Sequence, residues 1–428
     1  MRPPYLTAPR PRPARAATAV LLCALVALTG SPLARAARPA DGSALPAGPD
    51  ASGGSGLVNV TRGTGRGGSG LTGPAPGGAG RASAKPGQVV IRGAGDGHGV
   101  GMSQYGAEGY ALHGASAAAI LAHYYSGTTL GHADPRQAVH VLIGTGRASF
   151  SGATRAGAAR LSAGGTYTVI ASGLGLRVLS ASGRTVATAN GSLTVTGSGP
   201  LTTDGRSYRG ALRFSAIPTG GVQTVDVVGL DDYVRGVVAE EMDASWAPAA
   251  LEAQAIAART YALTSSVGGD GYSLYDDTRS QVYGGVSAET ATTNAAVAAT
   301  AGEVVTYRGT PVPTYFFASS GGETESIQNV WAGASAEPWL IGVPDPYDDV
   351  AGNPYHRWTV TLSVARATRE LGPLVRGRLE RIVVTRHGVS PRVVSARVIG
   401  TRGTRTVSGA QLAQAFGLPS TWLSFSVG

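Results

Sequence analysis

The sequence predicts an α+β fold, built as a single large domain with room for two lobes. Segments of alternating apolar and polar residues, separated by glycine-rich turns, fill the middle of the 428-residue chain and recur near its end. Helical patterns lie on both sides of the middle section and do not alternate one for one with the strands. Helices that bracket a run of strands indicate antiparallel sheets and not a regular βαβ alternation.

The first 36 residues are predicted to be a secretory signal peptide. Four arginines precede an apolar run from Ala16 to Leu28, and Ala34-Arg35-Ala36 has the small residues of a cleavage site. The run is short for a bilayer span, and a membrane anchor retained through an uncleaved signal is the alternative. We therefore expect a secreted or cell-envelope protein.

Residues 37–88 are predicted to be a disordered linker. They consist mainly of Gly, Ser, Ala and Pro, a composition that buries too little apolar surface to offset the entropy lost on ordering. The folded domain is expected to occupy residues 89–428, which is long enough for a large hydrophobic core.

The elements of this domain follow in order from their local patterns. A helical block is predicted over 107–125, and two helices separated by the loop 243–248 are predicted between Leu230 and Leu263. Asp231 is placed to cap the first of these two helices, and Pro248 suits the start of the second. Strands are predicted at 140–143, 166–170, 193–196, 211–214, 222–228, 357–364, 381–385 and 393–399.

The net charge of +9 does not indicate nucleic-acid binding. Most of the excess lies in the arginines of the first 88 residues, so the folded domain is close to neutral. A near-neutral domain lacks the electrostatic footprint that phosphate backbones require.

One carboxylate lies on an otherwise apolar helix face. Glu241 shares this face with four apolar residues, Leu230, Val234, Val237 and Val238. Burial disfavours the ionised form, so the pKa of Glu241 is expected to be raised and its proton available near neutral pH. The alternative is a partnered core carboxylate, paired with Arg259.

The surrounding residues resemble a known family. Their pattern is Asp232-Tyr233, Gly236-Val237-Val238, Glu241-Met242 and Trp246, followed by Ala250-Leu251, Ala253-Gln254-Ala255 and Ala257-Ala258-Arg259-Thr260-Tyr261. This pattern resembles the hallmark of the SpoIID/LytB family of bacterial sporulation and cell-wall proteins. The resemblance implies that Glu241 is the catalytic acid of a lytic transglycosylase acting on the glycan strands of peptidoglycan.

Two later segments resemble the same family. Asp277-Thr278 with Gln281 to Gly285 is similar to its D-T-x-x-Q-x-Y-x-G loop, and Tyr315 to Thr324 is similar to its Y-F-H-S-x-S-G-G-x-T segment. Phe317 stands where the family has a histidine. Because some members hold zinc through Cys and His near this cleft, neither a metal site nor any other cofactor is expected here.

The segment Gly97 to Ala107, G-H-G-V-G-M-S-Q-Y-G-A, resembles an element that usually closes the family's domain. Here it comes first, which indicates a permuted arrangement of one fold. Such an arrangement is tolerated when the exchanged ends lie close together at the surface.

Polar and aromatic residues of these segments are the candidates for substrate contact. The glycines beside His98 let its imidazole and backbone approach a ligand closely. The full set of substrate-binding candidates is His98, Gln104, Tyr105, Arg259, Asp277, Gln281, Tyr283, Ser319, Ser320, Gly321, Gly322 and Thr324.

The leading hypothesis is cleavage between N-acetylmuramic acid and N-acetylglucosamine with Glu241 as the single acid and base. Its partners would be glycan strands, including strands stripped of their stem peptides. One alternative is a glycoside hydrolase that uses Asp277 as a second carboxylate. The other is a non-catalytic wall-binding protein that enhances an amidase or autolysin.

Overall fold

The computed structural model describes residues 84–218, 220–265 and 267–428. The predicted signal peptide and residues 37–83 of the predicted linker lie outside the described residues. The first strand begins at Gln88, one residue before the predicted start of the domain. No helix in the described ranges is long and apolar enough to span a membrane.

The helices found in the described residues are α1 (Gln104–Leu112), α2 (Ala117–Tyr124), α3 (Leu230–Glu241), α4 (Pro248–Thr264), α5 (Ala291–Ala299), α6 (Ile327–Val330), α7 (Val364–Leu371) and α8 (Gly409–Phe416). The strands are β1 (Gln88–Ala94), β2 (Met102–Ser103), β3 (Thr129–His132), β4 (Ala138–Gly146), β5 (Ala148–Ala156), β6 (Ala159–Arg160), β7 (Thr166–Ser172), β8 (Gly175–Ser180), β9 (Thr185–Asn190), β10 (Ser192–Thr203), β11 (Arg206–Tyr208), β12 (Ala211–Ala216), β13 (Val222–Gly229), β14 (Leu274–Tyr275), β15 (Glu303–Tyr307), β16 (Thr310–Pro311), β17 (Phe316–Phe317), β18 (Trp358–Ser363), β19 (Leu379–His387), β20 (Val393–Gly400), β21 (Gly403–Ser408) and β22 (Trp422–Val427).

The predicted α+β class is confirmed. The largest sheet runs in the order β14-β4-β13-β12-β10-β5-β7-β8-β9, with β6 and β11 paired at its side. The smaller sheets have the orders β18-β1-β22, β16-β15-β3, β17-β2 and β19-β20-β21. Pairing between these strands is antiparallel except for β4 with β14 and β2 with β17. All eight predicted strands fall on observed strands.

The helical block predicted over 107–125 is two helices, not one. Gly114 has a φ of +85°, a conformation that breaks a right-handed helix. Ser116 then caps α2, because its side chain accepts a hydrogen bond from the Ala119 N–H. α3 and α4 agree with the two helices predicted between Leu230 and Leu263, apart from one residue at the end of α4.

Two hydrophobic cores divide the domain into two lobes. The larger lobe, residues 95–357, is built around α4 and the largest sheet. The smaller lobe consists of β1 and residues 358–428, with α7 and α8 packed beside β19, β20 and β21.

The two ends of the folded part lie side by side. β1 is the central strand between β18 and β22, so residues from the start of the domain complete a sheet made from its end. The Gly87 N–H donates to the Gly428 carbonyl at 3.1 Å, and the Gly428 N–H donates to Gln88 at 2.9 Å. This closeness meets the geometric condition for a permuted fold.

Arg259 lies in the interior and pairs with Asp231, not with Glu241. Its side chain is fully buried, and its Nε lies 2.6 Å from Asp231 Oδ1. Its remaining nitrogens donate to the carbonyl oxygens of Glu303, Val297 and Ala255. The prediction that Asp231 caps α3 is therefore wrong: Gly229 is the N-cap residue, and the Asp231 carboxylate is used to neutralise Arg259.

Candidate active site

Three segments meet at Glu241, the last residue of α3. Its Oε1 accepts a hydrogen bond of 2.8 Å from the backbone N–H of Val282, in the loop that follows β14. Gln104, the first residue of α1, donates its Nε2 to the Glu241 carbonyl oxygen at 3.0 Å. The residue as a whole is partly exposed, and the Val282 N–H holds one oxygen of its carboxyl group in place.

The environment of Glu241 keeps it protonated to a higher pH than usual. Burial raises its pKa to about 7, and the nearby charge of Glu240 adds to this effect. The hydrogen bonds from Val282 and Gln104 act in the opposite direction and are the weaker influence. A carboxylic acid of this pKa can give and take a proton near neutral pH.

An aromatic pair joins the residue after Gln104 to the loop that follows α3. The rings of Tyr105 and Trp246 pack at 5.0 Å between centroids with an interplanar angle of 55°, and both remain partly exposed. The loop that carries Trp246 is fixed to α1, because Glu108 Oε2 accepts the Ala247 N–H at 2.9 Å. Partial burial and the negative charges of Asp96, Asp243 and Asp348 raise the pKa of Tyr105, so its hydroxyl stays protonated. Exposed aromatic faces of this kind suit stacking against sugar rings.

Gln281 and Tyr283 lie inside the protein and support the loop of Val282. Gln281 Nε2 donates to the Tyr233 hydroxyl at 3.2 Å and to the Ala258 carbonyl at 3.3 Å. The Tyr283 hydroxyl donates to the buried Asp226 at 2.7 Å. These two contacts fix the backbone on both sides of the N–H group that holds Glu241.

A second buried network joins the segment of Ser319 to Gly321 with the start of α1. Its centre is the carboxylate of Asp348, whose pKa is lowered because hydrogen bonds to the charged form outweigh its burial. This carboxylate accepts hydrogen bonds from Ser103 Oγ, Ser319 Oγ, the N–H groups of Ser320 and Gly321, Asn353 Nδ2 and His356 Nδ1.

Ser319 and Ser320 are fully buried in this arrangement, and Thr324 is buried nearby. Thr324 Oγ1 accepts the Val343 N–H at 2.8 Å. Gly321 has a φ of +75° and packs so tightly that a Cβ would lie 2.7 Å from Ala94 Cβ. Gly322, with a φ of +112°, faces open space. Of this segment, Gly322 alone offers its Cα to a ligand.

Asp277 is held by a neighbouring arginine at the surface. Arg279 Nη2 lies 2.7 Å from Asp277 Oδ2, and the Asp277 side chain is 48% exposed. Partial burial raises the pKa of Asp277, but the hydrogen bonds and charge of Arg279 outweigh it and lower the pKa overall. The second carboxylate of a hydrolase acts as a general base or a nucleophile, and the ion pair with Arg279 weakens Asp277 in either role.

His98 lies at a different place, between the two lobes. Its Nδ1 accepts the Val100 N–H at 3.0 Å, and its ring packs 5.3 Å from those of Phe317 and Trp331. Burial and the charge of Arg392 lower its pKa to about 3, so the imidazole is neutral. It borders a cavity of about 360 Å³ that also touches the start of α8, and none of these contacts involves Glu241.

The comparisons with known proteins agree with this geometry. Residues 218–307 match the SpoIID family model, described as stage II sporulation protein. The chain is similar to this family over those residues. It is 34% identical over 215 residues to stage II sporulation protein D of Bacillus subtilis and 33% identical over 215 residues to that of Bacillus amyloliquefaciens. Each alignment covers 46% of this chain and 60% of the relative.

A second kind of relative is also similar. The amidase enhancer of Bacillus subtilis is 42% identical over 130 residues, which cover 30% of this chain and 17% of that protein. The chain therefore spans three fifths of the sporulation relatives' length and a smaller part of the amidase enhancer.

The matched SpoIID segment supplies Glu241, Val282 and the buried supports Arg259, Gln281 and Tyr283. Gln104 and Tyr105 lie outside the match, in the G-H-G-V-G-M-S-Q-Y-G-A segment, and the fold brings them against the end of α3. In the described part of the chain, no group of three His, Cys, Asp or Glu residues is placed to hold a metal ion.

Some important groups of the candidate site were not singled out from the sequence. A backbone N–H such as that of Val282 leaves no side-chain signature. Asp348 lies 245 residues from Ser103 in the sequence, so only the fold reveals that they pair. The run Asp345-Pro346-Tyr347-Asp348-Asp349 was a usable signal, because three acids so close together suggest a polar cluster.

Proposed function

We propose that this protein acts on the peptidoglycan of the cell wall as a lytic transglycosylase, with Glu241 as its acid and base. The observation that carries the proposal is a single carboxyl group of pKa about 7, held at the end of α3 by the Val282 N–H, with an aromatic pair on the neighbouring segments. The names of the relatives, stage II sporulation protein D and amidase enhancer, support a role in sporulation or in cell-wall remodelling.

The chemistry needs one group that first donates and then accepts a proton. Protonated Glu241 gives its proton to the glycosidic oxygen as the bond between that oxygen and C1 of N-acetylmuramic acid breaks. The resulting carboxylate then takes the proton of the C6 hydroxyl of the same sugar, while that oxygen bonds to C1. The product is a 1,6-anhydro ring, and Glu241 is protonated again.

The surroundings of Glu241 support a one-carboxylate mechanism better than a two-carboxylate hydrolase. The Val282 N–H binds one carboxyl oxygen and leaves the other to face the substrate. Asp277, the candidate second acid, is instead neutralised by Arg279. The exposed pair Tyr105 and Trp246 offers a stacking surface for the glycan.

The second candidate function is enhancement of an amidase without catalysis. It is favoured by the 42% identity to an amidase enhancer over 130 residues. In that case Glu241 would be a structural residue, and the groove would bind the wall or an amidase without cleaving glycan.

Purified protein and the Glu241→Gln variant separate these two functions. Each is incubated with glycan strands stripped of stem peptides, and soluble sugar fragments and bound protein are measured. The transglycosylase predicts fragments from the wild type only, with strand binding retained by the variant. The enhancer predicts no fragments from either protein and equal stimulation of an added wall amidase by both.

A further inference from the structure

The smaller lobe carries a positive charge that the total charge of the domain hides. Residues 358–428 contain ten arginines and two glutamates, whereas residues 217–357, which include Glu241, contain 18 acidic and five basic residues. The larger lobe as a whole, residues 95–357, has 22 acidic and 14 basic residues, so the two lobes carry net charges of opposite sign. Opposite charges on two parts of one protein orient it relative to a charged partner.

Three of these arginines are brought together by backbone contacts at one end of the β19-β20-β21 sheet. The Arg402 N–H donates to the Arg376 carbonyl at 3.0 Å, and the Thr401 N–H donates to the Arg378 carbonyl at 2.9 Å. Arg376, Arg378 and Arg402, here called the arginine triad, are all exposed. Two turns that are distant from each other in the sequence are therefore docked together. Their three arginine side chains project from the same end of the sheet.

The turn between Arg376 and Arg378 requires glycine. Gly377 has a φ of +79°, and a Cβ there would collide with Thr401 Oγ1 and approach Arg402. Thr401 Oγ1 also accepts the Arg378 N–H at 3.0 Å. The arrangement is a fixed platform, since its backbone is held from both sides.

The triad has no acidic partner among the residues that the structure describes. In the part of the chain that the structure describes, the ion pair of the smaller lobe joins Arg366 to Glu370 at 2.6 Å, and no carboxylate lies within 4 Å of a triad nitrogen. Arg381 and Arg397 extend the basic surface, because both are exposed and Arg397 lies opposite Val383, two residues from Arg381.

We propose that the arginine triad docks the protein on a phosphodiester-bearing anionic polymer of the cell wall. Guanidinium groups bind phosphate oxygens through paired hydrogen bonds, and a repeating phosphodiester presents such groups at regular intervals. The glycan backbone itself has no phosphate for the triad to bind. This inference rests on the wall location of the proposed function.

The structure favours a polymer over a lipid surface. Proteins that bind a membrane surface through basic residues commonly add large apolar side chains that enter the interface. The triad has none beside it: Val389 is the one large apolar residue of the described smaller lobe that is strongly exposed, and it packs near Glu325 and Gly342 instead.

The test measures sedimentation of the full chain with purified wall sacculi, before and after hydrofluoric acid has removed phosphodiester-linked polymers. The triple variant Arg376→Gln, Arg378→Gln, Arg402→Gln is compared with Arg147→Gln, Arg155→Gln, Arg160→Gln. The control removes the same charge from exposed arginines of the larger lobe. Thermal unfolding of both variants checks that they are folded.

The triad variant is expected to bind intact sacculi roughly tenfold more weakly than the wild type does. Acid stripping of the sacculi should weaken binding of the wild type by a similar factor, and the control variant should differ from the wild type by less than about twofold. Equal loss in the two variants, or undiminished binding to stripped sacculi, would overturn the proposal. So would tighter binding to vesicles of anionic lipid or to duplex DNA than to sacculi. Glu241→Gln should bind like the wild type, so failure of cleavage and failure of docking are read separately.

Discussion

Glu241 shows how one residue combines a cost in stability with a chemical use. Its ordinary pKa is 4.5, and the fold raises it to about 7. Below pH 4.5 the group is protonated in both folded and unfolded chains and adds no penalty. As the pH rises through 7 the folded protein must hold a charge that it disfavours, which costs on the order of 3 kcal/mol.

Replacing Glu241 with Gln should therefore stabilise the protein at high pH. The amide keeps an acceptor for the Val282 N–H and carries no charge. We expect the free energy of unfolding at pH 8 to increase by about 2–3 kcal/mol, and the difference to disappear by about pH 4. Denaturant titrations at both pH values measure the free energy of unfolding. Equal stability of the two proteins at pH 8 would show that the fold does not disfavour the ionised form of Glu241.

The same pKa sets the pH dependence of glycan cleavage. Donation requires the protonated form, so the initial rate on glycan strands stripped of stem peptides should decline as the pH rises above about 7. The rate is measured between pH 5 and 9, with protein fluorescence as a check of folding. A rate that stays constant to pH 9 would mean that another group supplies the proton.

At the scale of elements, a buried ion pair holds α3 against α4. Asp231 in the first turn of α3 neutralises Arg259 of α4, and Arg259 also bonds to carbonyl oxygens at the end of α5 and the start of β15. The four elements are thereby locked together behind Glu241.

Replacement of Asp231 by Asn should be strongly destabilising. It leaves a fully buried guanidinium without a countercharge, which costs about 3–5 kcal/mol of unfolding free energy. Asp232→Asn is the matched control, because its side chain is 43% exposed and pairs with surface arginines, so it should cost less than about 1 kcal/mol. Chemical denaturation of both variants measures the loss of unfolding free energy. Similar losses in the two variants would refute the assignment of Asp231 as the buried partner of Arg259.

The sequence allowed α3 and α4 to be predicted closely, because a stripe of apolar residues and a proline at the helix start are local signals. It also identified Glu241, since a carboxylate within that stripe is unusual. The alternative in which Arg259 pairs with Glu241 is wrong, because Arg259 pairs with Asp231 at the opposite end of α3 and periodicity does not say which end meets α4. The roles of Ser319, Ser320 and Gln281 as buried supports depend on contacts between distant segments, which a local pattern does not contain.

At the scale of the whole molecule, the start of the domain completes the sheet of the smaller lobe. β1 lies between β18 and β22, and Gly87 contacts Gly428 through a backbone hydrogen bond. The segment that follows β1 then reaches the larger lobe, where Gln104 meets Glu241. The two lobes are thus connected by the same segment that completes the site.

This arrangement predicts a tolerated circular permutation. A chain in which Gly428 is joined to Ala84 by a short glycine-serine linker, and which is opened between Asp134 and Pro135, should keep the fold. The unfolding free energy should change by less than about 2 kcal/mol, because the joined ends are already neighbours and the linker closes a small loop. Denaturant unfolding measures the change; a permutant that is unfolded would show that continuity through 134–135 is required.

Charge is a property of the whole molecule that the sequence total concealed. The near-neutral sum of the folded domain argued against nucleic-acid binding, and it conceals a smaller lobe in which arginines outnumber acidic residues. Which charges lie together is decided by the topology, as the docking of Arg376 and Arg378 on Arg402 shows.

The most direct test of the central claim is mass spectrometry of the products released from glycan strands stripped of their stem peptides. The account predicts fragments ending in 1,6-anhydro-N-acetylmuramic acid from the wild type, and none from Glu241→Gln under the same conditions. Fragments with free reducing ends, or anhydro fragments released equally by the Glu241→Gln variant, would contradict it.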